Sequence, residues 1–158
     1  MTAFTATTTI RPIRVGFAGS RDYPDLARVR HHVSRLAAKY PDAIVVSGGC
    51  RGVDKAAELA AHDAGLGVIS YRPHQETNGE WTIHELRFGY GSRKSYELLI
   101  HPLPRDVRQS FGGAAFYRNG LIAKMADRLM AYPSTPGRGT RDTMRKAEER
   151  GRPVHLYS

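Results

Sequence analysis

Four short stretches of this chain carry residue types suited to holding a phosphate. They are Gly16-Phe17-Ala18-Gly19-Ser20-Arg21, Ser47-Gly48-Gly49-Cys50-Arg51-Gly52-Val53-Asp54, Arg118-Asn119 and Pro136-Gly137-Arg138-Gly139-Thr140. Glycine permits tight turns and close approach of backbone to a ligand. Backbone N–H groups at such a turn, leading into a helix, attract an anion. Ser20 offers a hydroxyl, and Arg21 can fork onto phosphate or carboxylate oxygens. Arg118-Asn119 supplies a cation beside a bidentate amide. The candidate ligand- and phosphate-binding set is Gly19, Ser20, Arg21, Ser47, Gly48, Gly49, Gly52, Asp54, Arg118, Asn119, Gly137, Gly139 and Thr140. Asp54 has two readings, a helix N-cap or an acceptor for a ribose hydroxyl. Gly16-x-x-Gly19 falls short of the full dinucleotide fingerprint, which needs three glycines in register.

The turns must sit on something rigid, and the surrounding sequence provides it. Ile13 to Ala18 is a short apolar run that reads as a strand. Asp25 can cap a helix bearing Leu26, Val29, Val33, Leu36 and Ala37 on one face, broken at Pro41-Asp42. Ala43 to Val46 reads as a second strand, and Ala56 to Ala64 as a helix stopped by Gly65. Val68 to Tyr71 is a third strand. The alternation lapses over 72–112, a segment rich in Pro, Gly, His and aromatics. It is expected to be an insertion or lid with a small helix near Glu80–Arg87 and a strand near Tyr96–Ile100. Periodicity returns with a helix over Gly113–Ala126, a strand over Arg128–Tyr132, a helix over Thr140–Arg150 and a last strand over Val154–Tyr157. This order implies an α/β fold, doubly wound, with a mainly parallel sheet and helices on both faces. Ligands in such sheets bind beyond the carboxyl ends of the strands, and all three glycine turns fall at such ends. A single domain over 13–158 is expected, preceded by a flexible N-terminal tail over 1–12.

The chain has 158 residues, a net charge of +9 and 41% hydrophobic residues. The charge favours anionic partners, whether phosphate, nucleotide or nucleic acid. No apolar run approaches membrane-spanning length, so no membrane partner is expected. The single cysteine, Cys50, excludes an intramolecular disulfide and fits a reducing, cytoplasmic setting. It reads as a small filler. The seven histidines show no ligand spacing, so neither a metal site nor a cofactor is expected. Trp81, the sole tryptophan, reads as core or an oligomer contact rather than a base-stacking platform.

Gly19-Ser20-Arg21 after the first strand, followed by Ser47-Gly48-Gly49-x-x-Gly52-x-Asp54 after the second, resembles the SLOG superfamily. The likeness is to its YspA-like and LONELY GUY-like Rossmann-type nucleotide-binding domains, related to the core of DNA processing protein A. Tyr117-Arg118-Asn119, Ala126-Asp127 ahead of a strand, and Gly139-Thr140 opening a helix agree with the YspA-like pattern. The resemblance covers 13–71 and 113–157. It implies a Rossmann-like fold, a nucleotide or nucleotide-derived phosphorylated ligand, phosphate contact for Arg118, and a homodimer or higher homo-oligomer, for which the 113–126 helix is a candidate surface.

The LONELY GUY-type enzymes carry Pro-Gly-Gly-x-Gly-Thr-x-x-Glu, whose glutamate is implicated in N-glycosidic cleavage. This chain has Thr143 in the glutamate's place, and threonine supplies no carboxylate. Asp142 is adjacent, but one residue along a helix turns a side chain by about 100°. The expectation is a ligand sensor, or a nucleoside-monophosphate phosphoribohydrolase with a rearranged acid. Arg118, Asp142 and Glu80 are the candidate catalytic residues, with Glu85 a further carboxylate in the insertion. The alternative is a nucleic-acid-binding module in which the same loops hold backbone phosphates.

Overall fold

The computed structural model describes residues 11–89, 96–134 and 137–158. Most of the expected tail, and Pro136 of the last glycine turn, lie outside them. Arg11, next to that tail, is fastened by a double hydrogen bond to Asp127 (2.6 and 3.0 Å).

Eleven elements follow the chain: β1 (Arg14–Gly19), α1 (Leu26–Lys39), β2 (Ile44–Ser47), α2 (Val53–Asp63), β3 (Gly67–Gln75), β4 (Trp81–Phe88), β5 (Tyr96–Pro102), α3 (Phe111–Met125), β6 (Arg128–Tyr132), α4 (Arg138–Glu149) and β7 (Val154–Leu156). The strands form one sheet in the order β5-β4-β3-β2-β1-β6-β7. Pairing is parallel from β3 across to β7 and antiparallel for β3–β4 and β4–β5. The order reverses between β1 and β6, which opens a crevice at the carboxyl ends of those two strands.

Alternation along the strands builds two cores. Val15, Phe17, Val45 and Val68 face Val29 and Val33 of α1 and Val53, Ala57 and Ala61 of α2. Ala18, Val46, Ile69, Leu129 and Ala131 face Ala114, Ile122 and Ala123 of α3 and Ala147 of α4. Helices therefore cover both faces. Each fully buried Val, Leu or Phe contributes roughly 1.5–3 kcal/mol. Helix starts are set locally: Asp25 Oδ1 accepts from Arg28 N (3.0 Å) and Ser110 Oγ from Gly113 N (3.0 Å).

One expected element is of the other kind. The helix near Glu80–Arg87 is a strand, β4, paired with β3 from Val68↔Phe88 to Gln75↔Trp81. Its period is two: Ile83 and Glu85 are buried while Thr82 and His84 lie on the opposite face. Glu85 in an inward position disguises the pattern. It is satisfied there by Arg87 Nε (2.5 Å) and His101 Nε2 (3.0 Å). Residues 72–112, expected as an insertion or lid, continue β3, supply β4 and β5 to the sheet edge, and lead into α3. Trp81 packs edge-on against Phe111 and joins the second core.

Candidate functional site

A cavity of about 530 Å³ opens where β1 and β6 diverge. Its lining comes from the ends of β1 and β6, the N-termini of α2 and α4, and one face of α3. Of the residues proposed from sequence, Gly19, Ser20, Arg21, Asp54, Arg118, Asn119, Gly137, Gly139 and Thr140 line it. Ser47, Gly48, Gly49 and Gly52 lie behind that wall and shape the loop.

The glycines differ in what they do. A Cβ on Gly19 would overlap the Val53 side chain, so this glycine lets α2 close onto β1. Gly52 has φ +83°, and a Cβ there would lie 2.6 Å from the Arg21 carbonyl oxygen. It seats the β2–α2 loop against the β1–α1 loop. A Cβ on Gly139 would meet nothing within 4 Å. Gly139 is exposed, lines the cavity and lies in the first turn of α4, whose N–H groups lack partners within the helix.

Arg118-Asn119 is a strut. Arg118 is 7% exposed. Its Nη1 donates to the Gly48 carbonyl (2.6 Å) and contacts Cys50 Sγ (3.6 Å), and its Nε donates to Asn119 Oδ1 (3.1 Å). Asn119 Nδ2 donates onward to Asp142 Oδ2 (3.1 Å) and the Gly139 carbonyl (3.3 Å). One dipeptide of α3 thus ties the β2–α2 loop to the start of α4. Asp142 does not line the cavity. Lys146, Asn119 and Arg145 outweigh its burial and hold its carboxyl below the ordinary value.

Asp54 belongs to the same brace. The N-cap of α2 is Gly52, not Asp54. Asp54 sits inside the first turn, 6% exposed, and its Oδ2 accepts from Gly48 N (3.2 Å) and Cys50 N (3.3 Å). Burial pushes its carboxyl up to about 6, against the pull of Arg118 and the two N–H groups. Ser20 Oγ accepts from Ser134 N (2.8 Å), and Ser134 Oγ donates to Asp22 (2.6 Å), stitching the β1 and β6 loops. Thr143 is buried, lines the cavity, and donates its hydroxyl to the Gly139 carbonyl (3.0 Å). Glu80 is at the β3–β4 turn beside Arg108 (3.3 Å) and Glu85 is within the sheet; neither lines the cavity.

Sequence reasoning left several lining residues out of the binding set, among them Arg51, Arg138 and Phe116. Arg51 and Arg138 stand in the glycine turns at the starts of α2 and α4, and Phe116 lies one turn before Gly120 on α3. Position at a helix N-terminus was a usable signal for the arginines. Nothing local marks Phe116. Arg21, Arg51 and Arg138 are exposed and make no side-chain hydrogen bond or ion pair among the described residues.

Residues 13–77 match the model of the YspA, cpYpsA-related SLOG family. Over that stretch the chain carries SLOG-family sequence. The matched stretch runs from β1 through β3 and includes both of the first glycine turns. No curated protein sequence matches the chain. Among solved structures, DNA processing protein A from Streptococcus pneumoniae superposes with a TM-score of 0.66 at 20% identity, over 92% of this chain and 50% of that one. DNA processing protein A from Helicobacter pylori, described for its single-stranded DNA binding mode, gives 0.63 at 20%, over 92% and 65%. The molybdenum cofactor binding protein from Rippkaea orientalis gives 0.63 at 19%, over 94% and 77%. The chain thus spans half to two thirds of the length of the DNA processing proteins, and at these identities the likeness is one of fold.

Proposed function

We propose that the cavity between β1 and β6 binds a nucleotide or a nucleotide-derived phosphorylated small molecule. The observation that carries this reading is the convergence of Arg21, Arg51 and Arg138, unpartnered among the described residues, on one cavity. Like charges gathered in one concavity repel, and a multiply charged anion relieves that repulsion. The first turns of α2 and α4 add N–H groups at the same place. Ala18, Ala115, Ile122 and half-exposed Phe116 supply an apolar wall, with an aromatic face on which a base can stack. The volume suits a small molecule.

Binding, rather than cleavage, is the better reading. Thr143 stands where a carboxylate is needed, and its hydroxyl is bonded to Gly139. The carboxylates that line the cavity, Asp22 and Asp54, are bonded to Ser134 and to the Gly48 and Cys50 N–H groups. Calorimetric titration with nucleoside monophosphates is the test. Saturable binding that weakens about tenfold or more in Arg138→Ala is expected from the loss of a charge-assisted bond. Absence of binding to every nucleoside monophosphate would overturn the reading. Release of free base at high protein concentration would make the domain a phosphoribohydrolase instead.

The net charge of +9 favours a second reading, a nucleic-acid-binding module. Its signature would be affinity for single-stranded DNA that falls steeply with salt. A homo-oligomer in a cytoplasmic setting completes the proposal. The exposed apolar side chains Tyr96, Leu98, Leu99 and Ile100 lie on edge strand β5, whereas α3 turns Ala114, Ile122 and Ala123 inward.

A further inference from the structure

Three metal-ligating side chains meet on the β3–β4 hairpin, outside the cavity. His74 comes from the end of β3, Glu76 from the turn just after it and His84 from β4. One ligand atom from each lies within 4.8 Å of the other two. The imidazoles of His74 and His84 stack with centroids 4.0 Å apart, and His84 Nε2 is 3.6 Å from Glu76 Oε1. Register explains the meeting. His74 pairs with Thr82 and Arg72 with His84, so residues 72, 74, 82 and 84 share one face. Tyr71 and Ile83 occupy the opposite face, in the second core.

Two observations go beyond proximity. His84 Nε2 is shut off from solvent and has no hydrogen-bond partner, a costly state for a ring nitrogen. Thr82 Oγ1 donates to Glu76 Oε1 (2.9 Å), which orients the carboxylate as an outer-shell partner does. Arg72 is the neighbouring cation, but its guanidinium is turned to Glu58 (3.3 Å) and Ser70 (3.0 Å). The turn beyond is closed by Gly79 N to Glu76 O (2.9 Å) and Glu76 N to Glu80 O (2.8 Å).

We propose that His74, Glu76 and His84 bind one divalent transition-metal ion, zinc foremost, through two imidazole nitrogens and a carboxylate oxygen. Water completes the tetrahedron. This donor set suits zinc or cobalt rather than calcium or magnesium, which prefer oxygen alone. The last β2–β3 pair is Ser47↔Ser70, so beyond it β3 is held in the ladder by β4 alone. A metal bridging the two strands clamps that projecting part.

The test uses the chelator-stripped full chain, titrated with Zn²⁺ by calorimetry and with Co²⁺ by visible absorption. One ion per chain is expected, with the intense bands of tetrahedral cobalt. Affinity should fall at least about tenfold in His74→Ala and in His84→Ala, less in Glu76→Gln, and not at all in His31→Ala. Imidazole NMR signals of two histidines in the wild-type chain should shift on metal addition, a readout that needs no variant to fold. Nucleotide binding should be unchanged in the hairpin variants. Binding that is only millimolar, equally tight in His74→Ala and His84→Ala, or lost in His31→Ala would overturn the proposal.

Discussion

Arg118 and Arg51 show how two arginines at one cavity take opposite roles. Arg118 is buried and bonded to the Gly48 carbonyl, whereas Arg51 is exposed and has no partner among the described residues. Arg118→Ala should destabilise the fold by about 1–3 kcal/mol, because it strands a buried carbonyl and empties the strut. Arg51→Ala should leave stability within about 0.5 kcal/mol and weaken nucleoside-monophosphate binding about tenfold. Urea unfolding and calorimetry on the same two proteins check both. Asp54 carries the pH dependence. Its carboxyl is raised to about 6 in the fold, so between pH 4 and 6 the native state holds a proton that the unfolded chain has released. That contribution is present at pH 4 and is lost as pH rises through about 6. Asp54→Asn keeps an acceptor for the loop and removes the buried charge. The variant should therefore gain stability relative to wild type as pH rises from 4 to 7, by up to about 3 kcal/mol. A difference independent of pH would contradict the shift.

At the scale of elements, the glycine turns divide into those that pack helices and one that faces open space. Gly19 lets Val53 of α2 approach β1, while a Cβ at Gly139, at the start of α4, would have no neighbour within 4 Å. Gly19→Ala should lower the melting temperature, since overpacking at such a contact costs about 1–3 kcal/mol. Gly139→Ala should leave stability unchanged or raise it by up to about 1 kcal/mol, and should weaken ligand binding by filling the cavity wall. Equal ligand affinity in Gly139→Ala and wild type would remove α4 from the site. Periodicity made α1, α2 and α4 legible, because each turns one apolar stripe to the sheet, whereas α3 is apolar on more than one face, with Phe111 and Phe116 exposed. Periodicity misplaced β4, where Glu85 occupies an inward position that its cross-strand partners make tolerable. Such partners are not adjacent in sequence.

For the whole molecule, the charge of +9 and the exposed apolar side chains of edge strand β5 are the features that bear on the proposed association. Mononucleotide binding at the cavity should show a shallow salt dependence, and single-stranded DNA a steep one if the chain neutralises several phosphates. Parallel titrations from low to high salt separate the two readings. Ile100→Lys places a charge on the β5 edge and should lower the oligomeric state seen by sedimentation. An unchanged state would move the interface elsewhere. Among the described residues no helix is long and apolar enough to cross a membrane.

By itself the sequence determined the doubly wound layering and the glycine turns that line the cavity, because both depend on short-range patterns: apolar alternation within strands and glycine turns between strand and helix. Only the tertiary structure decided which charged groups are available there. Arg118 and Arg51 read alike along the chain, and Asp54 reads like any first-turn carboxylate. Their roles follow from partners far away in sequence, as with Gly48 and Arg118, or from burial. The same holds for His74, Glu76 and His84, brought onto one face by the register of two antiparallel strands. Composition and spacing carry no trace of that register.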